Sequence, residues 1–193
     1  MREKAQIMDA QAMQRAVMRI AHEIIEHNKG VQNVALIGIQ RRGVPLARQL
    51  RECINKIEGV ELPLGVLDIT YYRDDLSMLS EHPQVKATDV PFAVTGKDIV
   101  MVDDVLFTGR TARAAMEAIM DMGRANTIQL VTLIDRGHRE LPIRADYVGK
   151  NVPSSHDESV RLFLEEVDGR SEVDILQVIE GEHIGSAPLG GGK

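Results

Sequence analysis

The sequence predicts an α/β fold in which a mainly parallel central sheet is flanked by helices. Short apolar runs, typical of buried strands, alternate along the chain with stretches of helical periodicity. Three polar loops, residues 40–43, 103–109 and 135–139, each follow the end of such a run. Because ligands of open parallel sheets bind where the strands end, these loops predict one site at one edge of the sheet.

The first part of the chain predicts a helix, a strand, a second helix and a second strand. Apolar residues recur at three- and four-residue intervals over residues 10–24, which predicts an amphipathic helix that stops near Gly30. The apolar run at residues 34–39 predicts a buried strand, and a helical pattern follows from Pro45. Residues 64–70 predict the next strand.

A long polar segment and a glycine-rich end interrupt this pattern. Residues 71–96 are polar and charged and contain two prolines, and a segment of that length without periodicity predicts a flexible hood loop. Residues 181–193 contain five glycines and one proline, so we expect a disordered tail. With 193 residues in total and 44% of them hydrophobic, residues 1–180 are expected to form a single domain.

The second part of the chain contains the clearest strand. Residues 99–102 form a continuous apolar run, and a helix follows over residues 111–122, closed by Gly123. Residues 127–134 predict the next strand. Three later apolar segments predict short strands that flank the sheet: residues 147–148, 160–167 and 173–179.

Composition excludes several classes of protein. The formal net charge of −6 and the pI of about 5.5 argue against a surface that coats nucleic acid, and leave room only for a local basic patch. Cys53 is the only cysteine, so a disulfide framework is excluded and a reducing compartment is expected. The sequence contains no apolar run of about 18 residues and no N-terminal apolar signal, so we expect a cytoplasmic protein without a membrane segment.

Residues 99–111 join a buried strand, two acids and a Thr-Gly-Arg-Thr turn that precedes a helix. The turn leaves backbone N–H groups and hydroxyls at the helix N-terminus, which favours an anion such as phosphate. Asp103 and Asp104 would repel that anion, so we expect them to bind the hydroxyls of a ribose, with Mg²⁺ offsetting part of their charge. The alternative is structural: the acids order a loop and the turn caps the helix.

Three segments resemble a known family. The acid pair and Thr-Gly turn of residues 102–111 resemble the signature of the type I phosphoribosyltransferases, which use 5-phosphoribosyl-1-pyrophosphate (PRPP). Together with residues 68–76 and 135–147, they resemble more narrowly the bifunctional regulators of pyrimidine operon attenuation that are also uracil phosphoribosyltransferases. The resemblance covers roughly residues 5–180 and implies the type I phosphoribosyltransferase fold, as a homodimer or higher homo-oligomer.

The resemblance implies how PRPP is bound. Arg41 and Arg42 would bind its pyrophosphate. The alternative is that they are two ordinary loop residues exposed to solvent. Asp103 and Asp104 would bind the ribose, and magnesium would reach these acids only through bound PRPP. The remaining PRPP contacts follow the acids: Val105, Leu106, Phe107, Thr108, Gly109, Arg110 and Thr111. Arg73, in the hood loop, would fold over the reacting groups and exclude water, and it joins the two acids as an expected catalytic residue.

The same resemblance implies contacts with a base and with RNA. Arg136 would bind a carbonyl of uracil, and Tyr147, Val148 and Val160 would pack near the ring, although Tyr147 and Val148 also fit ordinary strand core. The implied reaction converts uracil and PRPP to UMP and pyrophosphate. UMP or UTP in this site would favour attachment to the leader mRNA of pyrimidine genes. The expected RNA contacts are basic: Arg15, Arg19, His22, His27, Arg139 and Arg144.

Two other functions stay open on the sequence. A purine salvage phosphoribosyltransferase would keep the fold, but a lysine more often stands in such enzymes where Arg136 stands here. A regulator without significant catalysis would use the pocket only to sense nucleotides and would bind RNA. Initial rates with uracil, hypoxanthine and guanine separate the first alternative, and nucleotide-dependent RNA binding without turnover identifies the second.

Overall fold

The structure is a computed structural model that describes residues 2–72 and 88–177. Eight strands and four helices follow one another along these residues. They are β1 (Arg2–Asp9), α1 (Ala10–His27), β2 (Val34–Ile39), α2 (Gly43–Glu58), β3 (Leu64–Leu67), β4 (Asp98–Leu106), α3 (Arg110–Met122), β5 (Thr127–Asp135), β6 (Tyr147–Asn151), β7 (Glu158–Phe163), α4 (Glu165–Asp168) and β8 (Glu172–Gln177).

Five parallel strands form a large sheet in the order β3-β2-β4-β5-β6, which confirms the predicted parallel sheet. Helices α1 and α2 cover one face, where Ile20, Leu50 and Ile54 are buried in one apolar cluster. Helix α3 covers the other face and buries a run of alanines and Ile119 against β4. Both faces are therefore shielded from water, which is why β2 and residues 99–102 of β4 are apolar without interruption.

Strand β4 continues past the predicted residues 99–102, through both acids to Leu106. It does so because parallel pairing with β5 continues, with Asp103 opposite Thr132 and Leu106 opposite Asp135. The start of α2 is equally constrained. A Cβ on Gly43 would lie 2.2 Å from the carbonyl oxygen of Val102, so only glycine lets the helix begin this close to β4.

Three strands form a separate small sheet in the order β1-β8-β7, with antiparallel pairing. The sequence analysis missed β1, and it predicted that residues 147–148 flank the large sheet, whereas β6 is an edge strand of that sheet. The predicted strand at residues 160–167 was wrong beyond Phe163. There the amide of Leu164 donates to Asp168 at 2.9 Å and Gly169 takes a φ of 69°, so residues 165–168 close into one helical turn.

Most of the expected hood loop lies outside the described residues, since residues 73–87 are not among them. Arg73 and the predicted tail at residues 181–193 lie outside them as well. The described ends of the hood loop meet beside β3: Thr70–Tyr72 forms a single 3-10 turn, and Asp89 bridges Val66. Over the two described ranges, no helix combines the length and the apolar character needed to cross a bilayer.

Candidate functional site

Three loops meet where the parallel strands of the large sheet end. They are the arginine loop (residues 40–42, after β2), the β4–α3 loop (residues 107–109) and the β5–β6 loop (residues 136–146). Strands β2, β4 and β5 are adjacent in the sheet and run in the same direction. The sheet therefore brings the polar residues of all three loops to one edge, as the sequence predicted.

The acid pair lies near the C-terminal end of β4. Asp103 and Asp104 are both half-buried. Oδ1 of Asp103 accepts the amide of Asp104 at 2.9 Å, and Oδ1 of Asp104 accepts the amide of Val105 at 2.9 Å. Burial, together with the charge of Asp104, raises the pKa of Asp103 well above its usual value. The pair is thus short of positive charge and of donors, which hydroxyl groups or a cation would supply.

The β4–α3 loop exposes the start of a helix. Gly109, the N-cap residue of α3, takes a φ of 93° and has no side chain that could accept an amide of the helix. The hydroxyl of Thr108 accepts the amide of Arg110 at 3.3 Å, and Thr111 is exposed. Backbone amides and hydroxyls at a helix N-terminus suit an anion.

The β5–β6 loop holds the β4–α3 loop in place. The carbonyl oxygen of Thr108 accepts the amides of Glu140 at 2.9 Å and Leu141 at 3.1 Å. Nη1 of Arg139 donates to the carbonyl oxygen of Phe107 at 2.9 Å, and Nε of Arg139 donates to Ile143 at 2.9 Å. Arg139, an expected RNA contact, is therefore engaged with the protein backbone, and its side chain is 21% exposed.

Arg136 lies beside the same loop and is buried. Its guanidinium sits 4.2 Å from the ring centroid of Phe107, and its Nη2 donates to the carbonyl oxygen of Glu158 at 2.6 Å. Nε of Arg136 donates to the hydroxyl of Ser154 at 3.0 Å. Burial lowers the pKa of Arg136 from its usual value. The structure thus brings Arg136 to the edge, next to the predicted phosphate residues.

The two residues of the arginine loop differ in their surroundings. Arg41 follows a cis peptide bond and is exposed. Arg42 forms a salt bridge with Asp168 of α4, in which Nη2 donates to Oδ1 at 2.8 Å. Sequence reasoning did not find Asp168, because it lies just beyond the predicted strand at residues 160–167 and no local pattern pairs it with Arg42.

The structure does not bring Tyr147, Val148 or Val160 to this edge. Tyr147 pairs with Val131, four residues before β6 ends at Asn151. It belongs to the buried core, its hydroxyl donates to Gln129 at 2.7 Å, and burial raises its pKa to about 12. Val148 follows in the middle of β6, and Val160 is buried within the small sheet.

A pair of histidines lies at the edge that sequence reasoning missed. The rings of His138 and His156 are 4.0 Å apart, and His138 also meets Phe107 edge-on, with centroids 6.0 Å apart. The two histidines come from different loops, so neither periodicity nor spacing signals their contact. Within the described part of the chain, no group of three or more histidine, cysteine or acidic residues could hold a metal.

A basic surface, made of Arg15, Arg19, His22 and Lys150, lies on α1 and β6 away from the acid pair. All four residues are exposed. Nη2 of Arg19 donates to the carbonyl oxygens of Val148 at 3.0 Å and Gly149 at 2.7 Å, which joins the helix to the strand that carries Lys150. Sequence reasoning missed Lys150. Two further expected RNA contacts are also exposed: His27 and Arg144.

The phosphoribosyl transferase domain model matches residues 3–164 of the chain. The curated relative Bifunctional protein PyrR of Caldicellulosiruptor bescii is 65% identical over 173 residues, which cover 90% of this chain and 95% of that protein. Bifunctional protein PyrR of Thermus aquaticus is 58% identical over 177 residues, covering 92% of this chain and 98% of the relative.

Solved structures with the same fold are more distant in sequence. A hypoxanthine phosphoribosyltransferase from Staphylococcus aureus superimposes with a TM-score of 0.67 at 20% identity, covering 89% of this chain and 92% of that one. The enzyme from Trypanosoma cruzi gives a TM-score of 0.70 at 18% identity, covering 92% and 96% of the two chains. At these identities the likeness concerns the fold.

Proposed function

The chain belongs to the phosphoribosyl transferase domain family and, within it, to the family of the proteins named Bifunctional protein PyrR, and on that premise we propose that it transfers the phosphoribosyl group of PRPP to uracil. The products are UMP and pyrophosphate. One observation carries this proposal: Asp103 and Asp104 lie near the end of the central strand of the large sheet, a few residues before the N-terminus of α3, whose N-cap residue Gly109 has no side chain. A sugar phosphate needs both features side by side.

PRPP is bound along β4 and the β4–α3 loop in this proposal. The amides of the first turn of α3 and the hydroxyls of Thr108 and Thr111 receive the 5-phosphate. The half-buried carboxylates of Asp103 and Asp104 accept hydrogen bonds from the ribose hydroxyls. The Arg139 guanidinium keeps the carbonyl of Phe107 in place, so the loop is shaped before the substrate arrives.

Magnesium fits this site as a partner of PRPP. Two adjacent carboxylates are too few to hold the ion alone, and Mg²⁺ usually binds through one or two carboxylates plus the phosphates of a substrate. Bound in this way, it supplies positive charge to the departing pyrophosphate. The acids of β4 would hold its outer ligands and orient the ribose.

The reaction breaks the bond between C1 of the ribose and the pyrophosphate oxygen and forms a bond from C1 to N1 of uracil. The proton of N1 leaves, and the electron pair of the broken bond departs with the pyrophosphate. The Asp103–Asp104 pair is the candidate proton acceptor, because burial and the neighbouring charge raise the pKa of Asp103 well above its usual value, which makes its carboxylate a stronger base. Positioning of the two substrates supplies most of the acceleration.

Uracil binds beside Arg136 in this proposal. The guanidinium already donates to Ser154 and Glu158, which fixes its plane against the ring of Phe107. An arginine held in this way presents fixed donors to a carbonyl oxygen, and a fixed donor selects a base better than a mobile one.

Uracil-dependent release of pyrophosphate by the purified protein tests the enzyme. We expect release with PRPP, magnesium and uracil, and at least tenfold slower release when hypoxanthine or guanine replaces uracil, on the order of the discrimination that one hydrogen-bonding site gives. A faster rate with a purine would overturn the choice of base. If the protein binds PRPP but releases no pyrophosphate with any base, it is a regulator that senses nucleotides without catalysis.

The second activity is regulation of pyrimidine genes by binding leader mRNA, and UMP or UTP in the PRPP site favours that binding. The basic surface supports it, since Arg15, Arg19, His22 and Lys150 are exposed together on a chain of net charge −6. The name of the relatives, bifunctional, fits a chain with two activities. A homodimer would double the basic area that one RNA meets.

Filter binding of a pyrimidine leader transcript tests this activity. We expect the dissociation constant to fall when UMP is added and to rise steeply with salt, because contacts with phosphates release counterions. By linkage, the transcript must then tighten UMP binding by the same factor. Binding that ignores both UMP and salt would remove the regulatory role and leave the enzyme untouched.

A further inference from the structure

One salt bridge joins the arginine loop to the turn that precedes β8. Nη2 of Arg42 donates to Oδ1 of Asp168 at 2.8 Å, and its Nε lies 3.4 Å from Oδ2. The two side chains are only 26% and 17% exposed, so solvent screens this pair less than a surface pair. The exposed side chain of Arg41 contacts no hydrogen-bond or ion-pair partner within residues 2–72 and 88–177.

Asp168 is itself held firmly. Its Oδ2 accepts the amide of Leu164 at 2.9 Å, which closes the single turn of α4. Although burial opposes it, the hydrogen bonds from Leu164 and from Arg42 keep the pKa of Asp168 below its usual value. The carboxylate is therefore ionised at neutral pH and fixed in direction, as a group that orients an arginine must be.

We propose that Asp168 is a positioning residue for the pyrophosphate of PRPP: it fixes Arg42 against α4 and leaves the guanidinium of Arg41 to meet the diphosphate. The inference rests on the proposed function and divides the work of the two arginines. Arg42 anchors the loop, and Arg41 binds the ligand. Asp168 does not touch the substrate.

The physical reason is preorganisation. On one side of the loop, Gly43 packs so closely on Val102 that the chain cannot shift toward β4. On the other side, the Arg42–Asp168 pair ties the loop to the small sheet. A loop held on both sides loses less conformational freedom when pyrophosphate binds, and that saving appears as affinity.

Asp168→Asn tests the inference, since asparagine keeps an oxygen that can accept the Leu164 amide and loses the charge that holds Arg42. We expect KM for PRPP and the dissociation constant of magnesium pyrophosphate to rise about three- to tenfold, while KM for uracil stays unchanged. In an Arg42→Gln background, Asp168→Asn should add nothing. In an Arg41→Gln background, where the contact that Asp168 helps to position is already lost, it should add less than in the wild type.

Glu166→Gln is the matched control. Glu166 stands on the same helical turn and forms the same kind of pair with Arg48 of α2, away from the arginine loop. It should leave KM for PRPP unchanged. If Asp168→Asn matches this control, or keeps its full effect in Arg42→Gln, the inference is wrong. If Asp168→Asn does not fold, Arg42→Lys is the alternative test, because lysine keeps the positive charge but loses the two-donor geometry of arginine. An unchanged KM for PRPP in Arg42→Lys would overturn the inference.

Calorimetric binding of magnesium pyrophosphate separates this inference from the proposed reaction, because it needs neither uracil nor turnover. If the wild-type protein binds pyrophosphate but does not turn over uracil, the proposed reaction is wrong and the role of Asp168 still stands. If the protein turns over uracil but the wild type and Asp168→Asn bind pyrophosphate equally well, the reaction stands and the role of Asp168 is wrong.

Discussion

The acid edge of the large sheet and the basic surface of α1 and β6 use charge in opposite ways. At the edge, Asp103 and Asp104 carry like charges side by side and are half-buried, and Arg136 and Arg139 nearby are tied to backbone carbonyls. On the basic surface, Arg15 and Lys150 are exposed, and Lys150 donates to the carbonyl oxygen of Ile7 at 3.1 Å. The groups of the edge are therefore held in fixed positions and partly removed from water. The side chains of the basic surface are largely solvated.

That difference indicates what each region can recognise. A fixed, partly desolvated site discriminates between small molecules, because a misplaced group leaves a buried partner unpaired. An exposed set of cations attracts phosphates over a distance set by salt and discriminates little by itself. Substitutions at the edge should therefore act strongly and through geometry, and substitutions on the surface should act weakly and through ionic strength.

The largest effect is expected from removing the charge of the edge. Asp103→Asn together with Asp104→Asn should lower uracil-dependent pyrophosphate release by at least about 10²- to 10³-fold, the loss that follows removal of groups that stabilise a transition state. The matched control is Asp98→Asn, which changes a carboxylate at the opposite end of the same strand. Full turnover in the double variant would remove the acids from the site.

The next effect concerns packing beneath the edge. Gly43→Ala places a Cβ 2.2 Å from the carbonyl oxygen of Val102, so the backbone must move and we expect a loss of about 3 kcal/mol in the free energy of unfolding. Gly59→Ala, at the other end of α2, meets open space and should cost about 1 kcal/mol through its φ of 69°. Urea unfolding of both variants measures the difference, and equal losses would contradict the close approach.

Tyr147→Phe distinguishes core from site. The substitution removes the hydrogen bond to Gln129 and should lower the free energy of unfolding by about 1 kcal/mol. KM for uracil should stay within about twofold of wild type, because Tyr147 begins β6, at the end of the strand away from the site. A large rise in KM for uracil without loss of stability would return Tyr147 to the base pocket.

A smaller effect follows from the raised pKa of Asp103. Its proton binds more tightly in the folded state than in the unfolded chain, so at neutral pH the ionised carboxylate opposes folding. We expect Asp103→Asn to raise Tm at neutral pH by about 2–4 °C, the shift that ~1 kcal/mol gives in a chain of this size. The gain should vanish as pH falls below the usual pKa of aspartate, where the wild-type carboxyl is protonated in both states. Thermal scans of the wild type and Asp103→Asn across that pH range measure this effect. If the carboxylate of Asp103 were fully solvated, the difference in Tm between the two proteins would not change with pH.

The smallest effect is expected on the basic surface. Arg15→Gln should flatten the dependence of RNA affinity on salt by about 0.7–0.9 in a double-logarithmic plot, the contribution of one phosphate contact, and leave uracil turnover unchanged. Arg124→Gln, an exposed arginine after α3, is the control and should leave the slope as it is. Equal slopes in all three proteins would remove Arg15 from the RNA contacts.

The large sheet could be predicted because each of its central strands is a local signal. Strand β2 has the predicted bounds, since six successive apolar residues can only be buried on both faces. Strand β1 could not be predicted, because five of its eight residues are charged or polar and its pairing partner β8 lies far along the chain. Long-range pairing overrides local preference there.

The site shows the same division. Asp103, Asp104 and the Thr-Gly turn are adjacent in sequence, so one motif predicts that they lie together. Asp168, His156 and Lys150 reach their neighbours only through the fold, and no local pattern places them. The resemblance implied that Tyr147 lies near the base, and the sequence could not test this, because its position along the sheet is set by the pairing with Val131.

The small sheet has a consequence for biosynthesis. Strand β1 pairs with β8 from Arg2 to Asp9, so a segment that is synthesised early waits for one that is synthesised much later before its backbone groups find partners. Strands β2 to β6 can assemble earlier, as the chain emerges. The nascent protein would thus form its large sheet before β1 is paired, and a stalled chain would expose one unpaired strand to its neighbours.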